Sequence, residues 1–129
     1  MRLVFRATEG GFDAAETMYC LVCGVSGLDA SDKKHYVILQ RGVESEDPSE
    51  DWGVHFEFDD QSSGAYNCVR CCRMSREALE VELMRPIDRR KQINGVSVDL
   101  SGLDEESYDA IRVGLPRIFR GTAGVLEIV

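Results

Sequence analysis

The stretch WGVHFEFDDQSSGAYNCVRCCRMSREALEVELM, residues 52–84, decides the fold class. Trp52, Val54, Phe56 and Phe58 alternate with Gly53, His55 and Glu57, the period of a half-buried strand. Asp59 to Ala65 (DDQSSGA) carries turn chemistry. Tyr66 to Met74 reads as a returning strand, and Ser75-Arg76 as a tight reversal. In Ala78 to Met84, Leu79, Val81 and Leu83 point one way and Glu80 and Glu82 the other. Three strands joined by short turns predict an antiparallel sheet.

The same grammar extends outward. Arg2 to Thr8 predicts a short strand that Gly10-Gly11 should break. Met18 to Val25 (MYCLVCGV) is a continuous apolar run, which suits a strand buried on both faces. Ser26 to Lys34 is turn-like, and His35 to Gln40 (HYVILQ) is β-branched and aromatic. Gly42 to Asp51 predicts a loop, because Pro48 forbids continuous pairing. Pro86 to Lys91 is a basic connection with room for one helical turn. Ile93 to Leu100 alternates again, and Gly124 to Val129 suits a terminal strand. The one long helix starts near Asp104, with Glu105 and Glu106 at the favourable end of its dipole. Leu103, Ile111, Leu115 and Ile118 recur at helical spacing, flanked by Tyr108 and Phe119. Pro116 predicts a kink or a break and restart. The expected fold is α+β: a single domain over residues 1–129, a mostly antiparallel sheet of six to eight short strands, and a C-terminal helix packed on it.

Composition agrees. The chain has 129 residues, 43% apolar and 29% charged, the profile of one globular domain. No apolar run approaches the roughly 20 residues of a membrane helix. The start carries no secretory pattern, and the odd count of five cysteines suits a reducing compartment, so a cytoplasmic location is expected. The net charge of −8 is concentrated. Glu44, Glu46, Asp47, Glu50, Asp51, Glu57, Asp59 and Asp60 place eight carboxylates in 17 residues without one Lys or Arg. Outside that window 15 acidic residues balance 15 basic ones. Such a block repels nucleic acid and anionic membrane and attracts a basic partner; a solubilising loop is the plainer alternative.

Catalytic material is scarce. His35 and His55 lie in strand-like runs without a neighbouring nucleophile motif, and the phosphate-loop, zinc-protease and hydrolase signatures are absent. Two C-x-x-C pairs, Cys20/Cys23 and Cys68/Cys71, have the residue types of a structural zinc site in a small adaptor module. Both lie in strand-like runs, where residues three apart face opposite ways, and core cysteine is the competing reading. No cofactor or metal is expected.

Taken together, residues 35–83 resemble the immunity protein 10 family of bacterial polymorphic toxin systems. The resemblance rests on an ordered series of weak motifs. Leu39-Gln40-Arg41 ends a strand, and the acidic run 44–51 follows. The aromatic strand Val54 to Phe58 then carries Glu57, and the turn Asp60-Gln61…Gly64 comes next. Met74-Ser75-Arg76 precedes Leu79, Val81 and Leu83. Residues 99–121, closing on Ile118-Phe119-Arg120-Gly121, match in style, so the likeness spans roughly residues 1–121. The cysteines, Pro116 and the tail after Gly121 depart from the pattern. The resemblance implies a non-enzymatic cytoplasmic protein, encoded beside a toxin, that binds and neutralises it. Many such toxins are nucleases with basic clefts. The expected binding patch is therefore Glu44, Glu46, Asp47, Glu50, Asp51, Glu57, Asp59, Asp60 and Gln61, with Arg41 ordering the carboxylates.

Overall fold

A computed structural model describes residues 1–15, 19–43 and 47–129. Met18, at the head of the expected second strand, and Glu44 and Glu46 of the expected patch lie outside the described residues. The described residues form nine strands in one sheet and one α-helix. In chain order the strands are β1 (Arg2–Ala15), β2 (Cys20–Leu28), β3 (Lys34–Gly42), β4 (His55–Phe58) and β5 (Gly64–Tyr66), then β6 (Val69–Met74), β7 (Ala78–Leu83) and β8 (Gly95–Asp99). The helix α1 (Glu105–Ile118) and β9 (Leu126–Ile128) complete the chain. The strand order is β5-β4-β3-β2-β1-β8-β7-β6-β9. Every neighbouring pair is antiparallel except β1–β8 and β6–β9, which are parallel.

The α+β class stands, but nine strands form rather than six to eight. The expected single strand from Tyr66 to Met74 is two strands. Asn67 adopts a left-handed conformation (φ +54°) and divides β5 from β6. These two strands stand seven spacings apart in the sheet order, about 34 Å if the sheet were flat. Only Asn67 and Cys68 separate them in sequence, a reach of about 11 Å. The sheet is therefore curled until its ends approach. The link is held on each side: Asn67 N–H donates to the Val54 carbonyl beside β4 (2.8 Å), and the Cys68 carbonyl accepts from Met84 N–H at the end of β7 (2.7 Å).

Gly10-Gly11 does not break β1. The strand runs through it, with Thr8 as an extra residue between the Ala7–Gly27 and Glu9–Ser26 pairs. That bulge shifts the inward set from Phe5 and Ala7 to Gly10, Phe12 and Ala14. Gly10 permits close approach: a Cβ there would sit 3.1 Å from Ile111 Cδ1 of the helix. β2 is buried on one face only, through Leu21, Cys23 and Val25. Trp52 is not on the core face with Val54, Phe56 and Phe58; positive φ at Gly53 ends the alternation before it. The Pro86–Lys91 connection forms a turn, not a helical one. The helix neither breaks nor restarts at Pro116 but continues to Ile118. Pro116 lies in the last turn on the exposed side, where water can satisfy the one carbonyl it orphans. Asp104 caps the helix through Ser107 N–H at 2.7 Å, and Tyr108, Ile111, Leu115 and Ile118 are buried against the sheet.

Candidate partner-binding surface

The acidic segment joins β3 to β4. Asp47 caps the short 3-10 turn Pro48–Glu50, its carboxylate accepting from Ser49 N–H at 3.0 Å. Asp47 and Glu50 are exposed. Asp51 is committed elsewhere. It receives Arg41 Nε at 3.1 Å and Nη2 at 2.6 Å, and the Gly53 N–H at 2.9 Å. The bond from Arg41 is the main reason its carboxyl is held down at about 2. Arg41 points inward from β3, with its side chain only 10% exposed. Its Nη1 donates to the carbonyls of Ile118 (2.9 Å) and Arg120 (2.7 Å). It thus orders one carboxylate of the loop and ties the loop to the end of α1.

The remaining candidates cluster at the far end of β4. Asp59, at φ +61°, accepts the Tyr36 N–H at 3.1 Å and lies 2.6 Å from His35 Nδ1. His35 Nε2 lies 2.8 Å from Asp29. An imidazole held between two carboxylates serves both only as imidazolium. Burial opposes that charge, yet the bonds to Asp29 and Asp59 outweigh it and raise the His35 pKa. Glu57 lies on the outer face of β4 and accepts the Tyr36 hydroxyl at 2.5 Å. Burial and then Glu57 push the Tyr36 phenol up to about 12. Asp60 caps its turn through Ser62 N–H at 2.8 Å, and Asp60 and Gln61 are exposed. The expected patch therefore falls at the two ends of β4, a four-residue strand about 10 Å from first Cα to last. Glu57 stands between them. Asp47, Glu50, Asp60 and Gln61 offer exposed polar groups; Asp51, Glu57 and Asp59 also hold the scaffold together.

Three residues of this surface escaped the sequence reading as site residues. Trp52, Tyr66 and His55 form an aromatic group on the outer face: Trp52 and Tyr66 have ring centroids 5.8 Å apart, and Tyr66 and His55 4.8 Å. The signal available was the left-handed tendency of Gly53 and Asn67 beside an acidic loop.

The cysteine pairs do not converge. Cys23 is buried on the inner face of β2 and Cys20 lies half-buried on the outer one. Cys68 and Cys72 are buried, and Cys71 is half-buried. Burial pushes the Cys23 thiol up to about 12, the reverse of what a metal ligand needs. Among the described residues no group of three or more His, Cys, Asp or Glu is placed to hold a metal ion, so the zinc adaptor reading is not supported. No helix of the described residues is long and apolar enough to cross a membrane.

Residues 6–115 match the family model described as Immunity protein 10. No curated protein matches the chain, and no solved structure does.

Proposed function

We propose, from the premise that this chain belongs to the immunity protein 10 family, that it is a non-enzymatic protein that binds and neutralises a cognate bacterial toxin domain in the cytoplasm. The family match over residues 6–115 carries this reading. The charge distribution supports its chemistry. All eight units of net charge fall in one window, and two exposed parts of it flank β4. A basic cleft on the toxin is the complementary surface, and carboxylates docked in it would take the place of an anionic substrate. Acidic residues at the rim speed encounter and select the partner more than they deepen affinity. Nucleic acid and anionic membrane are disfavoured partners, because the same field repels them.

Co-expression tests the reading. The toxin domain encoded by the neighbouring gene, expressed alone in a bacterial host, should arrest growth. Co-expression with this chain should restore growth and yield a complex that co-purifies. Unrelieved toxicity with both proteins soluble would reject the assignment.

A further inference from the structure

Trp52 is the only tryptophan of the chain, and 70% of it is exposed. Val54, Phe56 and Phe58, next in the same run, are buried. Gly53 (φ +89°) turns the chain at Trp52, and the left-handed Asn67 (φ +54°) packs beside it. Asn67 donates its N–H to the Val54 carbonyl at 2.8 Å and its Nδ2 to the Trp52 carbonyl at 3.2 Å. A Cβ at position 53 would come within 2.1 Å of Asn67 Oδ1, so glycine is required there. The backbone around Trp52 is thus fixed while its indole is left in solvent. Beside it stands Tyr66, 43% exposed, its ring tilted 59° to the indole. Tyr66 in turn rests edge-on against His55, whose buried Nδ1 has no hydrogen-bond partner among the described residues.

This inference rests on the toxin-binding reading and names its central contact. We infer that Trp52 and Tyr66 form the anchor of the interface and receive a cationic side chain, arginine or lysine, from the toxin domain. Exposed, pre-positioned tryptophan and tyrosine are the residue types that dominate binding energy, because they bury large area at small entropic cost. Charge decides the class of occupant. Glu50 precedes the indole by two residues. Trp52 lies inside the 17-residue window that carries the whole net charge and holds no Lys or Arg, and Asp47 and Glu50 of that window are exposed. An apolar knob on the rings would strip water from these carboxylates without replacing it. A guanidinium or ammonium stacks on the aromatic faces and is drawn there by the negative field of the same window.

The probe is the neighbouring gene's toxin domain carrying an inactivating substitution. The chain is labelled with 5-fluorotryptophan, which gives a single fluorine resonance from position 52. Adding the toxin domain should shift that resonance. Trp52→Ala and Tyr66→Ala should raise the dissociation rate by at least about tenfold while changing the association rate less than about threefold. Trp52→Phe should retain part of the slow dissociation, and Trp52→Leu should not. Urea midpoints of the variants should match the wild type, since the side chain is exposed. Wild-type dissociation from Trp52→Ala would overturn the inference and leave the toxin-binding reading intact. Slow dissociation from Trp52→Leu would overturn the cationic occupant in favour of an apolar one. A resonance that moves with chain concentration, without toxin, would make the surface a self-association site and also overturn it. Failure of the wild-type chain to bind the toxin domain at all would reject the toxin-binding reading itself.

Discussion

The guanidinium of Arg41 donates in two directions, to the Asp51 carboxylate and to the carbonyls of Ile118 and Arg120. A planar fork does this and an ammonium does not. Arg41→Lys should therefore lose stability, and Arg41→Ala should lose about 2–3 kcal/mol, the scale of a charged hydrogen bond set with its partners left behind. Urea denaturation of both variants checks the order. His35 supplies a second residue-level outcome. Its ordinary pKa is 6.5, and the fold raises it, so its contribution to stability is complete below about 6.5. That contribution is lost as pH rises through the raised value. The hydrogen bond from His35 depresses the Asp29 carboxyl, whose contribution is lost instead as acid takes the pH below the ordinary 3.8. Urea midpoints from pH 6 to 9 should fall for the wild type and stay flatter for His35→Gln; equal slopes would contradict the imidazolium. Residue types were legible in the sequence at this scale, but partners were not. Arg41 could be read as a cation beside carboxylates, yet its second bond spans 77 positions of chain to Ile118. His35 reads as an ordinary sheet histidine, because Asp29 and Asp59 arrive from two different turns.

At the scale of elements, α1 was the most legible part of the chain. Its periodic face, acidic start and Asp104 cap are all local. What packs against it was not local. Gly114 reads as a weak point in a helix, yet a Cβ there would fall 2.1 Å from Phe12 Cδ2 on β1. Alanine is the better helix former by about 1 kcal/mol, but displacing a packed ring costs about 1–3 kcal/mol. Gly114→Ala should thus destabilise, and Phe12→Ala with Gly114→Ala should cost less than the two single changes summed. Ile111→Ala, which empties a fully buried position beneath Gly10, should cost about 2–5 kcal/mol by denaturant midpoint. An unchanged midpoint would place that face in solvent. The same tertiary cause explains β1. Gly10 and Gly11 carry the residue signature of a turn, and only the nearness of Ile111 shows why a strand needs them.

Across the whole molecule, curling brings the Trp52–Tyr66 surface to the seam between β5 and β6, with one acidic cluster at each end of β4. The α+β class was legible, since alternation is a property of short windows. The curl was not, because strand order across nine strands depends on pairings such as the parallel β1–β8 that no window contains. Asp51 belongs to the scaffold, so charge can be reversed without unfolding only around it. Glu44, Glu46, Asp47 and Glu50, all changed to Lys with Asp51 kept, should leave the denaturant midpoint nearly unchanged, as the exposed charges of Asp47 and Glu50 contribute little. The same change should cut association with the toxin domain. The most direct test is therefore stopped-flow association of this chain with the inactivated toxin domain over a series of salt concentrations. The wild-type association rate should fall steeply as salt rises, and the quadruple reversal should associate at least about tenfold more slowly at low salt. Salt-independent association, with the reversal binding at the wild-type rate, would contradict this expectation.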